Sequence, residues 1–298
     1  MRSLRALLIF LAVVFLGAAL LAPWVYWGMQ TLAAHAPFLQ GTAAQPFHRY
    51  VNRCVYVLAL AGLWPLLRAL QAREWAAVGL VSPSGQGGRF LFGFGLGFLS
   101  LLLVAVGGLA SGARVLNHDL ELGLVLRSAG IALFSAMTVS VLEELLFRGV
   151  LYGRLRPATG EMTALLLSAG IYSIVHFFQR PPPPVVIHAA SGFETLGQML
   201  RGFADMQALF PGFLTLLVGG IVLAWLYQVS GTLYASMGLH AGWIFWLKLY
   251  GAATREAPGA PFWLWGSGKL IDGWSALLGM CFCAVVVRGY ARNRGTQV

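Results

Sequence analysis

Eight stretches of mostly apolar residues, near 4–28, 50–70, 89–110, 124–150, 162–180, 208–229, 231–250 and 270–290, punctuate the chain. Each comes close to the roughly 20 residues that a helix needs to cross the hydrocarbon of a bilayer. Backbone groups in lipid must satisfy one another, so segments of this kind fold as helices. The chain of 298 residues is 58% hydrophobic and 10% charged, against about 25% charged residues in an ordinary soluble domain. The expected fold is an all-α membrane protein, a bundle of about eight transmembrane helices forming one polytopic domain over 1–298. The apolar run after Met1-Arg-Ser-Leu-Arg5 reaches Trp27. It exceeds the roughly 7–15 residues of a signal-peptide core and is read as a retained first helix.

Net charge is +10. The arginines flank apolar runs, where they face anionic headgroups. No basic stripe with interleaved aromatics is present, so nucleic acid is not an expected partner. An even number of spans puts both termini on one side. With the N-terminus inside, inner segments hold 11 Lys and Arg and outer segments 9. Arg2 and Arg5, with Arg288, Arg292 and Arg294, favour cytoplasmic termini in a multi-pass protein of the cell membrane.

Gly93-x-x-x-Gly97 and Gly238-x-x-x-Gly242 lie within apolar runs and predict close helix–helix contact. Cys54, Cys281 and Cys283, all in apolar runs, are read as core packing. Between the fifth and sixth spans, Pro181 to Pro184 end a helix. Ser191-Gly-Phe-Glu194 then suggests a capping box opening an amphipathic surface helix near 191–210.

Ionisable residues inside apolar runs carry the functional reading. Glu143 and Glu144 stand side by side in a span, at a cost of about 2.5–3.5 kcal/mol each. Glu144 and Arg148, four apart, share a helix face and are placed to pair. Glu143 lies about 100° round the helix and escapes that pairing. One carboxylate is thus held by a cation while the other is free, a division that suits a general base. The alternative is a structural ion pair, with Glu143 satisfied by a hydroxyl such as that of Ser140. His176, four residues after Tyr172, and His240 occupy other spans, and intramembrane ionisable groups tend to face one cavity. With about 1.5 Å of rise per residue, Glu143 and His240 sit ~17 and ~15 Å from the inner ends of their helices, and His176 ~24 Å.

The pattern Glu143-Glu144-x-x-x-Arg148, aromatic-x-x-x-His176 and a later His240 resembles the CAAX prenyl protease and bacteriocin-processing (CPBP, or Abi) family of intramembrane proteases, over about 140–245. The resemblance implies an eight-helix bundle with a catalytic core at about 130–250, hydrolysing a peptide bond of a membrane-associated peptide or protein. It implies that Glu143 activates a water with help from His176, that Glu144 and Arg148 support the site, and that His240 stabilises the oxyanion. Three positions depart from the family pattern. Tyr172 stands where Phe is usual, Ile244 where Asn or Asp follows the last histidine, and Arg180 where some members carry Asn. Tyr172, Tyr234 and Ser236 are candidate replacements for the missing donor. Ile244 keeps open a catalytically silent scaffold or immunity partner. No cofactor is expected, although Glu143, His176 and His240 would be the ligands if zinc were bound. Motifs of zincin, rhomboid, presenilin and Walker type are absent from the sequence.

Overall fold

The computed structural model describes residues 2–71, 74–117, 121–178, 181–204, 206–267 and 270–293. Helices α1 (Arg2–His35), α2 (Phe47–Ala69) and α3 (Gly87–Ala110) come first. Helix α4 (Leu122–Glu144) continues without a break through a π-helical stretch, Leu145–Tyr152, into α5 (Gly153–Thr159). Then follow α6 (Glu161–Val175), α7 (Ser191–Met199), α8 (Met206–Ser230), α9 (Tyr234–Ala253) and α10 (Trp274–Asn293).

The all-α membrane class holds, but the expected eight long spans do not all appear. Among the described residues, six helices are long and apolar enough to cross a membrane: Arg5–His35, Phe47–Ala69, Gly87–Ala110, Leu122–Thr159, Leu209–Ser230 and Trp274–Arg292. The other two expected spans are helices of another kind. Gly160, at φ +84°, precedes α6, which ends at Val175 instead of reaching 180 and has only 15 residues. Helix α9 is 20 residues long, and Ala235 to Ile244 are all buried. Protein rather than lipid covers it, so it carries Ser236 and His240 without facing them to acyl chains. A three-residue antiparallel pair, β1 (Arg114–Leu116) and β2 (Thr254–Glu256), is the departure from all-helical structure. It is held by Arg114, which donates to Thr254 Oγ1 and O and pairs with Glu256 at 3.3 Å.

The chain contacts form two compact units, residues 1–73 with 177–205, and residues 74–176 with 206–298. In the first, α1 and α2 close on a core of Ala18, Ala22, Phe47, Tyr50 and Val51. Helix α7 lies against α1 at Gly192, where any Cβ would strike Ala19 O. The expected amphipathic helix is shorter than 191–210. It ends at Met199 and tightens into a 3₁₀ turn, Leu200–Ala204, while Phe210 belongs to α8. Its buried face is Ser191, Gly192, Thr195 and Met199, with Phe193 and Leu200 exposed. The capping box is not formed. Ala190 is the N-cap, and Ser191 Oγ instead accepts from the His188 amide, whose ring pairs with Glu194.

The second unit is built on α3, α8, α9 and α10, around Leu101, Leu223, Leu226, Leu239, Trp243 and Cys283. Cys54 and Cys283 are buried as expected, whereas Cys281 is exposed. Both Gly-x-x-x-Gly motifs meet in one seam. A Cβ on Gly93 would strike Ala235 O, one on Gly97 Leu239 O, and one on Gly238 Phe90 O. Only glycine permits two helix backbones to approach so closely. His240 lies between Gly238 and Gly242, so the seam fixes its height and rotation.

Candidate active site

All five ionisable residues singled out from the sequence converge in the second unit. Glu144 and Arg148 are fully enclosed, with side chains 0% and 1% exposed. Arg148 Nη1 donates to Glu144 Oε1 at 2.8 Å, the pairing that their spacing predicts. Its Nη2 reaches Gly220 O on α8 at 3.4 Å, and the guanidinium stands 4.3 Å from the centre of the Tyr172 ring. The chain changes to π geometry directly after Glu144, so Arg148 leaves from a widened turn. Such turns recur at functional sites.

Glu144 Oε1 also accepts from His240 Nδ1 at 2.9 Å. With its proton on Nδ1, the neutral imidazole of His240 presents a lone pair at Nε2. There it accepts from the Tyr172 hydroxyl at 3.3 Å. His176 is set in the same way: its Nδ1–H donates to Tyr172 O at 2.7 Å, since a carbonyl only accepts. Both rings therefore turn Nε2 toward Glu143. The Glu143 Oε2 atom lies 3.5 Å from His176 Nε2 and 3.8 Å from His240 Nε2.

Glu143 escapes the arginine, as the helical geometry requires. It is not satisfied by Ser140, whose hydroxyl donates to Met137 O. Oε2 of Glu143 is buried and makes no hydrogen bond among the described residues. Glu143 and His176 are 15% and 26% exposed, whereas His240 is 4% exposed. One side of the site is therefore accessible and the other sealed by protein.

Of the candidate replacement donors, Tyr234 donates to Val81 O and Ser236 to Leu233 O. Ile244 packs with Ala136 and Ala241. Arg180 lies outside the described residues. Among the described residues no group of three or more His, Cys, Asp or Glu is arranged to hold a metal ion.

Sequence reasoning did not assign Tyr172 its place between the two histidines, although its spacing of four from His176 is the visible signal. It also missed Gly220 O as an acceptor for Arg148, which no local pattern announces.

No curated protein and no solved structure matches the chain. Residues 125–246 match the sequence model of a family described as type II CAAX prenyl endopeptidase Rce1-like. That segment contains both glutamates, Arg148, His176 and His240, and the match supports the resemblance of these motifs to the CAAX prenyl protease and bacteriocin-processing family.

Proposed function

We propose that the protein is an intramembrane endopeptidase cleaving a peptide bond of a membrane-associated peptide or protein, with Glu143 as general base for the attacking water. The observation that carries this reading is the Glu143 carboxylate facing two imidazole nitrogens, at 3.5 and 3.8 Å, with no arginine or lysine paired to it among the described residues. Polar atoms at such separations are commonly joined through a water. A water held by Glu143 Oε2 and His176 Nε2 loses its proton to the carboxylate as its oxygen attacks the peptide carbonyl. When the tetrahedral intermediate collapses, the C–N bond breaks and the protonated Glu143 gives its proton to the departing amine. A carboxylic acid and an amine result, and the carboxylate is regenerated.

Glu144 and Arg148 are positioning residues. The arginine holds Glu144 as an acceptor, and Glu144 fixes the His240 ring. In this tautomer His240 offers only a lone pair at Nε2, so it orients the Tyr172 hydroxyl rather than donating to the oxyanion itself. Arg148 neutralises one of the two carboxylates, which lowers the attraction of the site for a dication and favours a reading without metal. The family description favours substrates of the CAAX type. Arg2 and Arg5, with Arg288, Arg292 and Arg294, support a cell-membrane location with both termini cytoplasmic.

The test is Glu143→Gln in native membranes, with cleavage scored on a partner processed by the wild type. General base catalysis contributes about 10²–10⁴-fold, so processing falls by that amount while the protein accumulates normally. Processing at the wild-type rate would remove Glu143 from the chemistry.

A further inference from the structure

We infer that the Tyr172 hydroxyl is the oxyanion donor of this reaction, an assignment that rests on Glu143 acting as its base. Hydrolysis concentrates negative charge on the former carbonyl oxygen, and a donor already aimed at that point, away from water, stabilises it without reorganisation. The phenol is held in place beside the site and out of water, so that only its O–H has to turn. Tyr172 is 3% exposed. Its oxygen lies 3.3 Å from His240 Nε2, which is itself 3.8 Å from Glu143 Oε2. Hydroxyl, imidazole and base therefore border one small space.

The neighbouring hydroxyls are committed elsewhere. Ser140 donates to Met137 O, Ser173 to Phe213 O, Tyr234 to Val81 O and Ser236 to Leu233 O. Of these hydroxyls and that of Tyr172, only the phenol directs its proton to a group of the site. Its ring packs beneath the Arg148 guanidinium at 4.3 Å and edge-on to Phe147 at 5.2 Å, which holds χ1 and χ2 in place. The cation over the ring draws electron density from the phenol and strengthens its O–H as a donor.

In the resting site that O–H is given to His240 Nε2. As the water attacks, the O–H turns to the new oxyanion and the bond to His240 is exchanged for a charge-assisted one. No proton leaves Tyr172, so Glu143 alone carries the proton from the water to the amine. One residue thereby holds His176 through its carbonyl and serves the reaction through its hydroxyl.

Tyr172→Phe removes one oxygen and keeps the packing of the ring. Wild type, Tyr172→Phe and Glu143→Gln are reconstituted in liposomes. Each is assayed on an internally quenched peptide ending in a farnesylated CAAX tetrapeptide and on an unprenylated peptide library. Affinity is measured for the aldehyde analogue of whichever reporter the wild type cleaves. Loss of one oxyanion donor costs about 10²–10³-fold in kcat, with KM unchanged. The aldehyde, whose hydrate imitates the tetrahedral intermediate, weakens by a similar factor, and thermal unfolding confirms a folded variant. A Tyr172→Phe protein within twofold of wild type overturns the assignment while leaving the Glu143 reading intact. So does a variant that loses kcat but binds the aldehyde as tightly as before. An active Glu143→Gln, or a wild type that cleaves neither reporter, overturns both.

Discussion

His240 donates through Nδ1 to Glu144 Oε1 at 2.9 Å, the oxygen on which Arg148 also bonds. One carboxylate atom thus orients the imidazole and neutralises the guanidinium, while the adjacent Glu143 makes no bond to the guanidinium and faces the other nitrogen of His240 at 3.8 Å. The two glutamates differ by one position in sequence and completely in task, and they separate by mutation.

Glu144→Gln leaves Arg148 buried without its counter-ion. Breaking one side of a buried pair costs about 3–5 kcal/mol. Glu144→Gln is therefore expected to lower the thermal unfolding temperature in detergent and the amount that accumulates in membranes. Glu143→Gln leaves both near wild type, since Glu143 bonds no cation. Equal melting curves for the two variants would contradict this division.

Arg148→Lys keeps the charge but not the reach. The guanidinium bonds Glu144 and Gly220 O at once and covers the Tyr172 ring; a single ammonium serves at most part of this. Loss of a charge-assisted hydrogen bond is worth about 1.5–3 kcal/mol, so stability in unfolding titrations falls by that order. Reporter cleavage falls with it, because His240 loses its fixed acceptor.

The glycine seam gives a comparison within one helix. Gly93→Ala drives a Cβ into Ala235 O, whereas a Cβ on Gly95 meets nothing within 4 Å. Overpacking of this kind costs about 1–3 kcal/mol. Gly95→Ala leaves stability unchanged or raises it by up to about 1 kcal/mol through helix propensity. Thermal unfolding of the two variants side by side measures the difference.

Chelation addresses the chemistry directly. On the proposed reading without metal, 1,10-phenanthroline and EDTA leave the cleavage rate at its untreated value. A rate that collapses with chelator and returns with zinc would replace the glutamate-only mechanism with one in which Glu143, His176 and His240 are ligands.

What was legible in the sequence is what depends on fixed helical spacing. The i, i+4 relation paired Glu144 with Arg148 and set Glu143 apart, and two Gly-x-x-x-Gly motifs announced a close helix contact. The features that stayed hidden depend on partners distant in the chain. The count of eight spans rested on apolar runs alone; α6 proves shorter, and α9, with Ser236, His240 and Lys248, less apolar than the six long helices. The π stretch Leu145–Tyr152 has no compositional mark, since its residues suit an α-helix equally well. The capping box is replaced by a bond from the His188 amide, three residues before Ser191, where the motif supposes the Glu194 amide three residues after it. The hydroxyl of Tyr172 meets His240 across 68 positions, a relation that only the fold creates.

The interlocked glycines along Gly93, Gly97, Gly238 and Gly242 have a further mechanical meaning. Two backbones keyed together in this way cannot slide or swivel past one another without collision, so the wall that bears His240 behaves as an anvil. Residue 176, by contrast, stands half-open just past the end of α6, on the accessible side of the site.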